Sequence, residues 1–325
     1  PMAGPILVAD IGGTNVRFGL GTTPDKPVEK ILKYQIAGYP NPETAVRKYF
    51  DDLGLSEKDI AGIKRACFCA AGPVEDDVVS LTNGSWVIDK DHIAKSFDLD
   101  FRLINDFSGM ANAIPYLPDS DLLKLGGGEP EPMSPKAIFG PGTGLGVSGA
   151  VPDRAGGWIV LSGEGGHVAF APRRPLEDNI LNILRRRIPG GRVSAERILS
   201  GAGLEMLYEA LAEIEQIAML PKSAKEIVET GLADEESLER QTISLFCGLL
   251  GKFGGDLALT LGARGGVYVA GGVAQALRDY LPHSVFRARF EDKGRMQKFN
   301  ADIPTYLLIG ETPALTGCVA AAQID

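Results

Sequence analysis

The run Pro5-Ile6-Leu7-Val8-Ala9-Asp10-Ile11-Gly12-Gly13-Thr14-Asn15-Val16-Arg17-Phe18-Gly19-Leu20 decides how this chain folds. Residues 5–9 form a short apolar run, the length of a buried strand, stopped by Asp10 and a Gly-Gly-Thr turn. From Asn15 to Leu20 polar and apolar residues alternate, as in a strand that returns along the first. Glycine at 12 and 13 lets backbone amides reach a bulky anion with no Cβ in the way, and Thr14 adds a hydroxyl donor. A phosphate would repel Asp10 directly. Its use beside one is to hold Mg²⁺, through water, because that ion keeps much of its hydration. Taken alone, the motif reads equally well as a plain hairpin.

The same pattern recurs in the second half. Lys136-Ala137-Ile138-Phe139 reads as a strand, Gly140-Pro141-Gly142-Thr143-Gly144 as a turn, and Leu145-Gly146-Val147-Ser148-Gly149-Ala150 as the return. Aligning Gly12-Gly13-Thr14 with Pro141-Gly142-Thr143 superposes strand, turn and return strand, a weak internal repeat. Two such hairpins, one from each domain, would grip a polyphosphate from opposite sides.

Further strands are expected between Val28 and Tyr39, over Arg65–Ala70 ending at Ala71-Gly72-Pro73, over Phe101–Ile104, over Gly266–Ala270 running into Gly271-Gly272, and over Ile303–Ile309. Helices are expected over Glu43–Leu53, Phe107–Ile114 (stopped by Pro115), Asp178–Arg187, Gly203–Ile214, Glu235–Leu261 and Pro313–Ala322. Gly126-Gly127-Gly128, with Pro130, Pro132 and Pro135, reads as a connection between domains. The pattern predicts an α/β chain of two domains, residues 1–116 with 310–325 and residues 117–309, the last helix returning to the first half.

Asp106 is the candidate base. It follows a strand whose C-terminal end should face a cleft, where open α/β sheets bind ligands. A hydroxyl is a poor nucleophile at neutral pH, and a carboxylate placed to accept its proton assists attack. Asp is also a favoured helix N-cap, and the two roles are compatible. Gly163-Glu164-Gly165-Gly166-His167 sets a carboxylate and an imidazole among glycines, a composition that close approach by a ligand would explain. Together they offer acceptors and a donor to adjacent hydroxyls. In Ser194-Ala195-Glu196-Arg197 no capping box forms, and Glu196 by itself reads as readily as a first-turn acid.

Competing motifs fail. Phe246 stands where a P-loop ending at Gly251-Lys252 needs its first glycine, and no Ser or Thr follows. Gly144, Gly146 and Gly149 satisfy the dinucleotide spacing, but the residues after them favour strand and end at Pro152, where a helix should open. No nucleophile elbow exists for a serine hydrolase. The 325 residues carry a net charge of −9, with no basic block longer than Arg185-Arg186-Arg187, so no nucleic-acid partner is expected. Four scattered cysteines, which read as reduced, structural thiols, and three histidines offer no metal cluster. Without a signal pattern or a long uncharged apolar run, a cytoplasmic protein with no membrane partner is expected.

The ordered set of motifs resembles the bacterial-type glucokinases of the actin, heat-shock ATPase and hexokinase superfamily. It comprises Leu7 to Asn15, Leu81-Thr82-Asn83, Ile104-Asn105-Asp106-Phe107, Gly140 to Val147, Gly163 to Val168, Val193 to Arg197, Leu199-Ser200-Gly201, Ala270 to Val273 and Phe290 to Arg295. The resemblance implies a two-domain, ribonuclease-H-like fold with a ligand cleft between the domains. It implies Mg²⁺-ATP as phosphoryl donor to the 6-hydroxyl of D-glucose, giving glucose 6-phosphate and ADP for glycolysis. Polyphosphate could occupy the same anion sites. Asp106 then matches the catalytic base; Asn105, Asp106, Gly144, Glu164, His167 and Glu196 match sugar-binding positions. Ala9, Asp10, Ile11, Gly12, Gly13, Thr14 and Asn15 match the first phosphate loop, Thr143 and Gly144 the second, and Gly271 and Gly272 the adenosine side. A homodimer is implied as well.

The related group of repressors, open-reading-frame proteins and kinases (ROK) carries a cysteine-rich zinc motif after the glutamate–histidine segment; here Val168-Ala169-Phe170-Ala171-Pro172 contains no cysteine. Repressors of that group also need a DNA-binding module, for which the nine residues before Asp10 are too few. Two rivals stand beside the kinase reading. One is a sugar-sensing regulator without turnover, against which Asp106 speaks. The other is an acetate-kinase-like phosphotransferase, which would not need Glu164, His167 and Glu196.

Overall fold

The computed structural model describes residues 4–72, 74–81, 85–218 and 220–323. Pro73 of the expected strand end, and Thr82 and Asn83 of the family motif, lie outside the described residues. The chain divides into two compact units, residues 1–121 with 310–325, and residues 122–309.

In the first unit, β1 (Ile6–Ile11), β2 (Asn15–Gly21) and β3 (Glu29–Gln35) form an antiparallel meander, followed by α1 (Pro42–Asp52) and α2 (Glu57–Gly62). Then come β4 (Arg65–Ala70), the short hairpin of β5 (Val78–Ser80) and β6 (Val87–Asp89), α3 (Lys90–Phe97), β7 (Asp100–Asn105) and α4 (Asp106–Ala113). The main sheet runs β3-β2-β1-β4-β7, with β4 parallel to both β1 and β7.

The second unit repeats this plan. It holds β8 (Leu122–Gly126), β9 (Lys136–Pro141), β10 (Leu145–Pro152), β11 (Trp158–Gly163), α5 (Pro175–Arg187), α6 (Gly201–Ile214), α7 (Ala224–Ala233), α8 (Leu238–Leu261), β12 (Val267–Val269), α9 (Gly272–Ala276), α10 (Phe286–Glu291), α11 (Gln297–Asp302) and β13 (Thr305–Leu308). Its sheet runs β11-β10-β9-β12-β13-β8, with β12 parallel to β9 and β13. The repeat seen in two glycine-threonine turns thus extends to whole sheets: three antiparallel strands, then two parallel ones, in one order in both units.

β1 is buried on both faces, which is why its sequence is a continuous apolar run. Leu7, Ala9 and Ile11 face a core that includes Tyr49 and Phe50 of α1. Ile6 and Val8, with Cys67 and Cys69 of β4, face Leu315, Cys318 and Val319 of the final helix α12 (Pro313–Ala321). α12 packs on α4 so closely that a Cβ on Gly317 would lie 1.6 Å from the Gly109 carbonyl oxygen; only glycine permits that crossing. α4 begins at Asp106, so this contact helps hold the candidate base.

Two expectations are corrected. Leu122–Gly126 is a strand paired with β13, so the glycine-rich stretch from Gly126 is no linker, and the units meet in sequence at Asp121/Leu122 rather than at 116/117. Gly140 and Pro141 belong to β9, because they pair with Gly146 and Leu145; the turn proper is residues 142–144. α8 has the length and mean hydropathy of a membrane span, but most of that window is buried inside its own unit.

Candidate active site

In the first unit, parallel pairing sets Asp10 beside Cys69 and Cys69 beside Ile104, so β1 and β7 end level, one strand apart. The turn after β1 closes by the Gly12 N–H donating to the Asn15 carbonyl at 2.9 Å. A Cβ on Gly12 would meet only that carbonyl, at 3.5 Å, so the turn's own packing does not demand glycine there. Close approach by a ligand would.

The cap of α4 is Asn105, not Asp106. Its Oδ1 accepts from the Ser108 N–H at 2.6 Å, and this leaves the amide nitrogen as the end able to donate to a ligand. Asp106 is the first helical residue, half-buried, with Oδ1 accepting from the Phe107 N–H at 2.9 Å. Burial raises its carboxyl above the ordinary aspartate range; the Phe107 N–H pulls it back, and the Asp10 charge pushes it up again. Asp10 is raised by burial too, opposed by a hydrogen bond from Cys69 and by the charge of Arg17, its partner on β2. A half-buried carboxylate pushed up by the charge of a second one suits proton transfer and suits a cation nearby.

In the second unit, residues 142–144 make the other turn, the Gly142 N–H donating to the Gly144 carbonyl at 2.8 Å. The N–H of Gly201, first residue of α6, donates to the Gly142 carbonyl at 2.8 Å, so this turn abuts the start of a fourteen-residue helix. A helix N-terminus favours anions. Gly271 and Gly272 lie where β12 passes into α9.

Glu164, His167 and Glu196 come together although 32 residues of sequence separate the first and last. The stretch 166–170 runs beside 193–196, with the Glu196 N–H donating to Gly166 and the Ala195 N–H to Val168. His167 Nε2 lies 3.9 Å from Glu164 Oε2 and 4.0 Å from Glu196 Oε1. These gaps exceed a hydrogen bond and match groups that share a bound hydroxyl about 2.8 Å from each. Glu164 has an 81% exposed side chain, whereas that of Glu196 is 30% exposed and tied down: its Oε2 accepts from the Leu145 N–H at 2.9 Å. Glu196 is therefore no first-turn acid but a link between the glycine turn and the Glu164–His167 segment. Arg192, which the sequence did not single out, donates to the His167 carbonyl at 2.7 Å and steadies the same segment.

Gly144 explains itself here, since an added Cβ would lie 2.6 Å from Glu196 Oε2. Gly144→Ala should displace that carboxylate and break its bond to Leu145; if Glu196 binds glucose, as the resemblance implies, affinity for the sugar should fall about tenfold or more, the order of one lost charged hydrogen bond. Calorimetric titration with glucose checks this; unchanged affinity would show that Glu196 does not serve the sugar.

Among the described residues no cluster of three or more His, Cys, Asp or Glu side chains could enclose a metal ion. A half-buried Asp10 beside a second carboxylate still fits one hydrated Mg²⁺ whose remaining ligands are water and phosphate.

A family model described as Glucokinase matches residues 7–324. The chain is 42% identical to a glucokinase of Chromobacterium violaceum over 98% of its own length and 90% of the relative's. It is likewise 42% identical to a glucokinase of Neisseria meningitidis, over 98% and 94%. Among solved structures, a glucokinase from an Antarctic psychrotroph is 34% identical with a TM-score of 0.88, covering 98% of both chains. A ROK-family glucokinase from Streptomyces griseus, in complex with glucose and AMPPNP, has a TM-score of 0.60 at 18% identity, over 98% of this chain and 99% of that one; it shares the fold. The alternation of two like sheets, the two glycine turns and the grouped acids and histidine thus have a common origin: the chain belongs to the glucokinase family.

Proposed function

We propose that this protein transfers the γ-phosphoryl group of ATP to the 6-hydroxyl of D-glucose, releasing glucose 6-phosphate and ADP. The observation that carries the reading is His167 Nε2 standing 3.9 Å from Glu164 Oε2 and 4.0 Å from Glu196 Oε1, with Glu196 bonded to the residue that follows a glycine turn. An acyl-phosphate kinase has no use for that set of hydroxyl partners.

Glu164, His167 and Glu196 bind glucose through its hydroxyls, and the Asn105 amide is a further donor to the sugar. Asp106 accepts the 6-hydroxyl proton as the oxygen attacks, its raised affinity for protons bringing it closer to the working pH. Backbone amides at residues 12–14 and 142–144 hold the phosphates, and the start of α6 adds its dipole. Gly271 and Gly272 admit the adenosine. Asp10 would hold a hydrated Mg²⁺, which would supply neutralisation of the phosphate charge. A cytoplasmic homodimer that feeds glycolysis completes the proposal.

A panel of hexoses against ATP and polyphosphate, followed by ADP or sugar-phosphate release, tests the whole reading; absence of turnover with glucose and any donor overturns it. Glu164→Gln and His167→Ala should each weaken glucose binding by about ten- to a hundredfold, with ATP affinity little altered. Equal loss of both ligands would point to misfolding and remove the assignment.

A further inference from the structure

Asp10 stands at the end of the sheet face shared by Ile6 and Val8, and Cys67 and Cys69 line the same face on the neighbouring strand. α12 seals the apolar part of this face. Only the last pair in register, Asp10 and Cys69, joins a carboxylate to a sulfur, and the Cys69 thiol donates to Asp10 Oδ1 at 3.6 Å. Cys69 also lies under α4: a Cβ on Gly109 would be 3.1 Å from the Cys69 Cβ. One buried side chain therefore lies against both Asp10, near the end of β1, and the helix that starts with Asp106.

We infer that Cys69 is a positioning residue for Asp10, its thiol fixing one carboxylate oxygen and leaving the other for the magnesium–nucleotide. This rests on the reading of Asp10 given above. Cys69 is fully buried. Cys318 braces the same strand end, donating to the Ala9 carbonyl at 3.6 Å. Cysteine suits the place because it packs as a small apolar side chain and still offers a weak donor.

The test uses the full chain with Cys69→Ala and Cys69→Ser. Cys69→Ala should raise KM for Mg²⁺-ATP about three- to tenfold, the order of one weak hydrogen bond, with kcat changed less. Calorimetry should show ADP affinity falling by the same factor when Mg²⁺ is present, while metal-free ADP and glucose bind as before. Cys69→Ser keeps a donor and should recover most of the loss. A packing role predicts the opposite order, since alanine is the better-tolerated residue in an apolar site. Serine no better than alanine, or unchanged metal-dependent ADP affinity in Cys69→Ala, overturns the inference. Asp10→Asn separates the two layers. If it leaves the metal dependence intact, the reading of Asp10 fails and takes the inference with it. If it abolishes that dependence while Cys69→Ala does not alter it, only the positioning role falls.

Discussion

Asp106→Asn should lower turnover with glucose and ATP by about 10²–10⁴-fold, the usual contribution of a general base, while glucose affinity largely survives. Asparagine is nearly isosteric and its Oδ1 can still accept the Phe107 N–H, so the start of α4 is preserved. Asn105 keeps its cap on Ser108. What disappears is the proton acceptor. The pH dependence gives a second, independent sign. A base must be unprotonated to act, so kcat/KM of the native enzyme should fall as pH drops through the Asp106 pKa. Burial and the Asp10 charge place that acid limb above the ordinary aspartate value of 3.8. The limb should vanish from the residual activity of the asparagine variant. Turnover close to native would remove Asp106 from the role.

The place of Asp106 in the fold was legible in the sequence because it follows from the strand alone: Asp106 comes directly after β7, a strand parallel to β4, and opens the helix behind it. Both glycine turns were legible for a related reason, since the alternation that flanks them survives as antiparallel pairing in β1–β2 and β9–β10. Glu196 was not. Its meaning lies in a bond to the Leu145 N–H, 51 residues away, and nothing in Ser194-Ala195-Glu196 announces a partner at that distance. The trace it left in the sequence was Gly144, a glycine that the turn keeps because Glu196 occupies the space of its side chain. β11 escaped notice because it is an edge strand with Ile159 and Leu161 more than a third exposed, so its apolar residues do not mark a core. β8 was hidden by the glycines that end it. Glycine density signals a linker only when the preceding residues lack a partner, and Leu122–Gly126 has one in β13. Cys69 shows a further kind of limit. Alternation in Cys67-Phe68-Cys69 places both thiols on one face, but the carboxylate at the end of that face belongs to a strand 59 residues earlier.

The largest stability effect is expected at Arg289 of α10. Arg289 is 3% exposed and Glu177 of α5 is 1% exposed, and the guanidinium donates to the Glu177 carboxylate at 2.6 Å. The other oxygen of Glu177 accepts from the Arg173 N–H, also at 2.6 Å. The arginine is only partly satisfied, because its buried Nε has no hydrogen-bond partner. Arg289→Ala leaves a buried carboxylate without its counter-charge, a change that costs about 3–5 kcal/mol where such pairs are broken. Arg289→Met combined with Glu177→Leu removes both charges and fills much of the same volume, so the double variant should be markedly more stable than Arg289→Ala. Its stem already packs as an apolar group, with the Arg289 Cγ 3.4 Å from where a Cβ on Gly248 would stand. Urea unfolding of native, single and double variants reads the difference directly. A single variant as stable as the native chain would mean that the pair is hydrated in solution. A double variant no better than the single would mean that α5 and α10 are joined by the geometry of the ion pair itself, and not by the burial around it.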